Sequence, residues 1–495
     1  MRPEWEEDME QCMRRPLSVL ESYPVADQEE IHRLYLEERK DFDRKIVVLD
    51  DDPTGVQTVH GVYVYTDWSP ENLLEGMEEE NQMFFLLTNS RSFSPEKTEE
   101  VHRALARRTV EAARQTGKEL LLVARGDSTL RGHYLLEPRV LRETLEEETG
   151  RKVHGLVICP FFCEGGRYTM EGVHYVREGE YLVPAGQTEF AADSTFGYQS
   201  SHLGEYVEEK SGGFYRKESC IHITMPYLRG KKYEEITSML MAAEDFCPIC
   251  VDAIAESDVE AFAICLLRAI KAGKEFVIRS AAAMPRVLGN VGSRPLLTRQ
   301  ELLGGAGEDA CQGENAQMYG GLVLAGSHVK KTTAQLESLK KSRVPAEFVE
   351  FRVNACFEPG GLEKETELVI ERAEEIMGQG RTAVVYTSRR LLAPEGMTGE
   401  ELLNLSVKIS DAVTGVAAGL HRQPRFLIAK GGITSSDVGT RGLGVRKAMV
   451  AGQAAPGIPV WKTGPESRFP GLSYIIFPGN VGEEDSLRKM VEMLA

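Results

Sequence analysis

The chain has 495 residues, 42 % hydrophobic and 27 % charged, with a formal net charge of −18. That length is too great for one ordinary core, so two domains are expected, with the composition of a globular protein. The acidic balance excludes nucleic acid as a partner, since phosphate backbones need clustered Lys and Arg, and no apolar stretch of membrane-spanning length or signal-peptide core is present, so no membrane partner and a cytoplasmic location are expected.

Residues 1–44 are charged and mostly helix-compatible, an N-terminal helical extension. Lys45-Ile46-Val47-Val48-Leu49 then predicts a buried parallel strand. It runs directly into Asp50-Asp51-Asp52-Pro53-Thr54-Gly55, which places concentrated negative charge at the carboxyl end of a core strand, where open α/β sheets bind ligands. Carboxylates this close repel, so a cation, a donor-rich partner or a proton must offset them. Pro53 and Gly55 argue for a loop of fixed shape. Further strands are expected at 61–66, 83–88, 119–124, 155–159, 249–253 and 275–279, separated mostly by helical stretches such as Pro95–Gln115, Leu135–Glu148 and Asp258–Ala272. This alternation is the mark of βαβ units.

Several of these strands end in polar clusters: Thr88-Asn89-Ser90-Arg91-Ser92, Ala124-Arg125-Gly126-Asp127-Ser128-Thr129-Leu130-Arg131-Gly132-His133, and Cys159-Pro160 through Gly165-Gly166-Arg167. They bring Arg91, Arg125, Arg131 and Arg167, with Ser and Thr hydroxyls, to one sheet edge. Arginine grips a carboxylate or phosphate in two-pronged fashion, and the hydroxyls suit a polyhydroxylated ligand, so a hydroxy acid fits such a pocket. Asp127-Ser128-Thr129 also has the residue types of a helix N-cap. His133, His174 and His202 lack a metal-binding spacing and read as structural, although His174 can line the same cleft as Arg167. The nine cysteines are scattered and read as reduced thiols. Cys247-Pro248-Ile249-Cys250 has no second pair and no neighbouring histidines, so it is read as part of a strand rather than a zinc site.

Residues 288–320, rich in Gly, Asn, Gln and Ser, break the rhythm and set a domain boundary near residue 300, dividing 45–300 from 301–495. Strands resume at 321–326, 346–352, 382–387, 425–430 and 474–477, with helices at about 329–341, 361–378, 399–421 and 483–494. Three strands run into small or glycine-bearing loops: Ala325-Gly326-Ser327-His328, Lys430-Gly431-Gly432-Ile433-Thr434-Ser435, and Pro478-Gly479-Asn480-Val481-Gly482. Glycine lets backbone N–H groups approach an anion closely, and together the loops suit the phosphates of a nucleotide. There is no P-loop motif, and Gly439-Thr440-Arg441-Gly442-Leu443-Gly444 lies within or after a helix rather than in a first strand-to-helix turn, so it is not a dinucleotide fingerprint.

Taken together, Asp51-Asp52-Pro53-Thr54-Gly55, Asn89-Ser90-Arg91-Ser92, Asp127-Ser128-Thr129-Leu130-Arg131-Gly132, Pro160 through Gly172, Gly326-Ser327, Lys430 through Ser435, Pro456-Gly457-Ile458-Pro459-Val460-Trp461 and Phe477 through Gly482 resemble the four-carbon acid sugar kinase family, the ATP-dependent kinases of D-threonate, D-erythronate and 3-oxo-tetronate. The resemblance spans roughly residues 45 to 495. It implies a sugar-acid domain followed by a nucleotide domain, substrate contacts at Asp51, Arg91 and residues 125–129, and ATP contacts at Ser327, Gly432, Gly479 and their neighbours. The chain departs from the family in residues 1–44, in an insertion at 304–318, in His328-Val329-Lys330-Lys331 after the serine of the first nucleotide loop, and in Ala124-Arg125-Gly126, where a lysine pair is commoner.

The expected fold is α/β in two domains, each a mostly parallel sheet flanked by helices, with the active site in the cleft between them. The expected reaction moves the ATP γ-phosphoryl to the terminal hydroxyl of a four-carbon sugar acid, with Mg²⁺ bridging the phosphates. Asp51 is the candidate to orient or deprotonate the hydroxyl, with Asp52 second, and Arg91 and Arg125 are assigned to the substrate carboxylate. Gly126, Asp127, Ser128, Thr129, Arg131 and Arg167 complete the substrate set. Ser327, Lys430, Gly431, Gly432, Thr434, Gly479, Asn480 and Gly482 form the nucleotide set. The metal ligands are left open, with a residue of the acidic loop as the candidate to hold Mg²⁺ through water, and a homodimer is compatible with the chain. The alternatives are a kinase of another hydroxy acid and a non-enzymatic sugar-acid sensor.

Overall fold

The computed structural model describes residues 14–304, 319–327, 329–389, 399–479 and 481–495. His328, Asn480, the first part of the N-terminal extension and nearly all of the 304–318 insertion lie outside the described residues. The chain divides into two compact units, one formed by the residues up to Gly55 with Trp68–Gly292, the other by Val56–Asp67 with Ser293–Ala495. The expected strand near 61–66 therefore belongs with the second half. Its residues Tyr63–Tyr65 pair antiparallel with Lys447–Met449, so pairing overrides chain order.

The first unit is built on seven parallel strands in the order 221–223, 247–251, 155–159, 276–280, 120–125, 45–50, 83–87. Helices cover its faces, and every residue of Lys45–Asp50 and Met83–Leu87 is buried. Burying each Val, Leu or Phe here contributes about 1.5–3 kcal/mol. The helix Pro95–Thr116 starts on Ser94, whose hydroxyl accepts from the Lys97 amide at 3.3 Å, and stops at Gly117 with φ +66°. The helix Glu256–Lys271 is opened by Asp258, whose carboxylate accepts the Ile254 and Ala255 amides at 3.0 and 2.9 Å. Two features were not expected. A small antiparallel sheet orders strands 15–16, 181–184, 173–178 and 167–170. The extension is also part of this unit: its helix Gln28–Arg39 buries Ile31 and Tyr35, and the Tyr35 hydroxyl donates to the Val287 carbonyl.

The second unit has strands in the order 63–65, 447–455, 458–463, 473–477, 427–430, 322–325, 382–387, 346–351. From 473–477 to 346–351 all neighbours are parallel, as the βα rhythm requires. The hairpin 447–463 is antiparallel to its neighbours and carries a bulge near Gly452. Pro456-Gly457 supplies its turn, with Gly457 at φ +73°. No helix among the described residues is long and apolar enough to cross a membrane.

Candidate functional site

In the first unit the ends of strands 45–50, 83–87, 120–125 and 276–280 lie side by side, and their loops carry the charged residues. The Asp51 amide donates to the Arg125 carbonyl at 3.2 Å, and the Gly126 amide to the Ser280 carbonyl at 2.9 Å, so these loops leave the sheet in register. Gly55 lets the acidic loop fold back on itself. A Cβ there would lie 2.0 Å from Asp50 Oδ2.

Arginines offset the acidic run. Arg125, nearly fully buried, donates to Asp50 Oδ1 at 3.1 Å and to Asp51 Oδ1 at 3.3 Å. Arg91 reaches Asp51 Oδ1 at 3.2 Å, Asp52 Oδ2 at 3.0 Å and Asp127 Oδ1 at 3.6 Å. Arg91 and Arg125, expected to serve a ligand carboxylate, thus also pair with this protein's own aspartates. A proton supplies part of the remaining offset. Burial pushes Asp50 up to about 7 despite Arg125, and raises Asp51 against the pull of Arg91 and Arg125. Burial also works on Asp52, but Arg91 and the Thr54 hydroxyl and amide outweigh it and hold Asp52 below its ordinary value. Asp51 Oδ2 is buried and has no hydrogen-bond partner.

The Asp127–Leu130 segment is held rigidly. Asp127 accepts from Arg131 Nε at 2.7 Å and from the Thr129 hydroxyl. Burial opposes its ionisation, yet Arg131 and Arg91 keep it well below the usual carboxylate range. Leu130 sits at φ +66°, an uncommon conformation for a side chain of this kind. Three consecutive carbonyls pin it: Ser128 O to His174 Nε2 at 2.8 Å, Thr129 O to the Tyr198 hydroxyl at 2.6 Å, and Leu130 O to the Tyr206 hydroxyl at 2.7 Å. Gly126 is required because a Cβ there would lie 2.1 Å from Arg279 Nη2. Arg279 is ion-paired with Glu137, which also accepts from Ser90 Oγ at 2.6 Å. Arg167 lies against Phe190, its guanidinium 5.6 Å from the ring, with Arg131 at 5.1 Å from the same ring.

Sequence reading missed Arg279, Glu137, Tyr198 and Tyr206, and placed His174 only loosely. His174 is fully buried, and burial lowers it to about 4. It is neutral in the fold and ordinary, near 6.5, in the unfolded chain, so its contribution is complete above about pH 6.5 and is lost as pH falls toward 4. Thermal unfolding followed across this range is expected to show His174→Gln losing its difference from wild type by about 3 kcal/mol between neutral pH and pH 4. A difference that does not change with pH would contradict the assignment.

In the second unit three loops meet. A Cβ on Gly326 would lie 2.4 Å from Thr434 Oγ1, one on Gly431 would lie 2.9 Å from Ser327 Cβ, and one on Gly479 would lie 3.2 Å from Ser327 Oγ. Gly431 has φ +121°, outside the range of L side chains. Ser327, Gly431, Thr434 and Gly479 are therefore brought together, and Gly432 opens the helix Gly432–Asp437 beside them. One expectation is corrected. Lys430 is fully buried, donates to the Pro478 and Gly479 carbonyls at 2.6 and 3.3 Å, and is lowered by burial to about 7, so it ties two loops together instead of meeting a phosphate. Gly482 turns the chain against Ser486, where a Cβ would lie at 2.8 Å. Arg389 was missed: it donates to the Ser327 carbonyl at 2.6 Å and to Thr333 Oγ1 at 2.7 Å, and has no carboxylate partner among the described residues. Gly431→Ala is expected to weaken nucleotide binding at least tenfold by titration calorimetry, because the added methyl displaces Ser327. Unchanged affinity would remove this loop from the site.

Among the described residues no three His, Cys, Asp or Glu side chains are grouped to hold a metal ion. The carboxylates of the acidic loop are already engaged by arginines, which makes that loop a poor fit for a resident cation.

Residues 46–288 match the model of a sugar-binding N-terminal domain, and residues 322–487 that of a nucleotide-binding C-terminal domain. No curated protein matches the chain in sequence. Among solved structures, a Salmonella typhimurium LT2 protein carrying a provisional tRNA-synthase label shares the fold with a TM-score of 0.63 at 15 % identity, over 90 % of this chain and 98 % of its own. Haemophilus influenzae protein HI1011, of the DUF1537 family, does so with a TM-score of 0.56 at 16 % identity, over 91 % of this chain and 100 % of its own. Two consecutive domain matches on a fold of this plan place the chain in the four-carbon acid sugar kinase family, which joins a sugar-binding domain to a nucleotide-binding one.

Proposed function

We propose that the protein is an ATP-dependent kinase that phosphorylates the terminal hydroxyl of a four-carbon sugar acid such as D-threonate, D-erythronate or a 3-oxo-tetronate. The observation that carries the reading is Asp51. One of its oxygens is fixed by Arg91 and Arg125, and the other is an unsatisfied acceptor at the carboxyl end of the sheet in the sugar-binding domain. Such a group orients a hydroxyl and takes its proton as the oxygen attacks phosphorus. The bond from the γ-phosphorus to the β,γ-bridging oxygen breaks, and ADP leaves. Burial raises Asp51 above its ordinary value, which makes its carboxylate a stronger base.

Asp52 holds Arg91, and Asp127 with Ser128 and Thr129 shapes the pocket wall. The backbone of Gly431, Gly432 and Gly479, with Ser327, serves the phosphates, and Arg389 is a cation available to them. Mg²⁺ enters as the counter-ion of the ATP phosphates and lowers their charge. Positioning and charge neutralisation account for most of the rate in such transfers.

The test is ADP formation by the purified protein with ATP and Mg²⁺ against a panel of D-threonate, D-erythronate, 3-oxo-tetronates and larger aldonates. Turnover restricted to a four-carbon acid is expected. Activity only on a longer acid would overturn the substrate, and nucleotide binding without turnover on any acid would overturn the reaction.

A further inference from the structure

The arginines of the first unit are not equivalent. Arg91 faces Asp51, Asp52 and Asp127, and Arg125 faces Asp50 and Asp51. Arg131 faces Asp127 and Asp193, and Arg279 faces Glu137. Arg167 alone among these five has no carboxylate within ion-pair distance among the described residues. Its Nε, like those of Arg91 and Arg125, is buried without a hydrogen-bond partner, and the residue as a whole keeps partial exposure. Guanidinium N–H groups removed from water without an acceptor are costly, and a bidentate carboxylate is the ligand that satisfies them best. The Phe190 ring lies within cation–π range of the group, 5.6 Å from its centre, and makes no hydrogen-bond demand on its N–H groups.

We propose that Arg167 is the carboxylate anchor of the sugar acid, so that the ligand runs from Arg167 past Asp127 to Asp51. This rests on the kinase reading for the hydroxyl end and adds the orientation of the substrate. Asp127 acts on the charge of Arg167 and lies 3.6 Å from Arg91, which is itself 3.2 Å from Asp51, so Arg167 and Asp51 belong to one charged cluster. Arg131, beside Arg167 on the same ring, keeps its Nε on Asp127 and adds charge to the anchor without being its main donor.

The test compares binding of D-threonate and D-erythronate with binding of their uncharged polyol counterparts, threitol and erythritol, by titration calorimetry without nucleotide. Wild type is expected to prefer the acid at least tenfold. Arg167→Gln is expected to weaken the acid at least tenfold and to leave the polyol within twofold, with Arg167→Lys in between. Should Arg167→Gln fail to fold, Arg167→Lys carries the comparison: its acid affinity must fall at least threefold while its polyol affinity holds. Equal weakening of acid and polyol, an unchanged acid affinity, or a wild type with no preference for the acid would each overturn the proposal. The kinase reading fails separately. Acid that binds through Arg167 but is never phosphorylated would sink that reading and leave the anchor standing.

Discussion

Asp51→Asn is expected to lower kcat/KM for the sugar acid by about 10²–10⁴-fold while leaving ATP affinity within twofold. Asparagine keeps an oxygen for Arg91 and Arg125, which now meet Asp51 Oδ1 at 3.2 and 3.3 Å, and so preserves the frame of the loop. It replaces the unpartnered Oδ2 with an amide that donates and cannot take a proton. The loss should therefore fall on kcat more than on the folding temperature. Steady-state kinetics with calorimetric ATP binding separate the two. An active Asp51→Asn enzyme would move the role of base elsewhere, with Asp52 the next group to examine, although Arg91 and Thr54 hold Asp52 ionised and occupied.

The largest stability effect is expected at Glu137. Its carboxylate is 2 % exposed, pairs with the buried Arg279 and accepts from Ser90 Oγ at 2.6 Å. Removing one partner of such a pair strands the other charge in a poorly solvated place, which costs about 3–5 kcal/mol. Glu137→Ala should show this in denaturant unfolding of the first unit. Arg279 sits under Gly126 and close to Gly132, so the loop carrying Asp127 should loosen as well. Glu137→Ala combined with Arg279→Met should recover much of the loss, because no charge is then left unpaired. If the double variant is no more stable than the single one, Glu137 acts through packing instead of charge.

Much of the fold was legible because its central strands are buried on both faces. Apolar runs such as Ile46–Leu49 and Phe84–Leu87, each followed at once by polar residues, can be little else than core strands meeting a loop. The hairpin 447–463 was not legible. Its Ala and Gly content gives a weak strand signal, and its place is decided by pairing with Tyr63–Tyr65 from far up the chain. The small sheet at 167–184 was hidden for a similar reason, since its short strands mix buried aromatics with exposed charges.

At the site, sequence located the charged loops but could not say which charges neutralise one another. The aspartate partners of an arginine stay hidden until the structure pairs them, as Arg91 and Arg125 show. Arg279 did leave a signal, a lone cation in the buried strand Phe276-Val277-Ile278-Arg279-Ser280. Glu137 did not, because an acid in the first turn of a helix is ordinary. Tyr198 and Tyr206 reach the 129–130 carbonyls from about 70 residues away, a separation no local pattern reveals.

Transfer of a phosphoryl group from ATP to a sugar-acid hydroxyl can be followed by ³¹P NMR of the reaction with each four-carbon acid. ADP and a new phosphate monoester whose phosphorus couples to the protons of the terminal carbon are expected, formed by wild type and not by Asp51→Asn. Release of inorganic phosphate alone, or an ester formed equally well by Asp51→Asn, would contradict it.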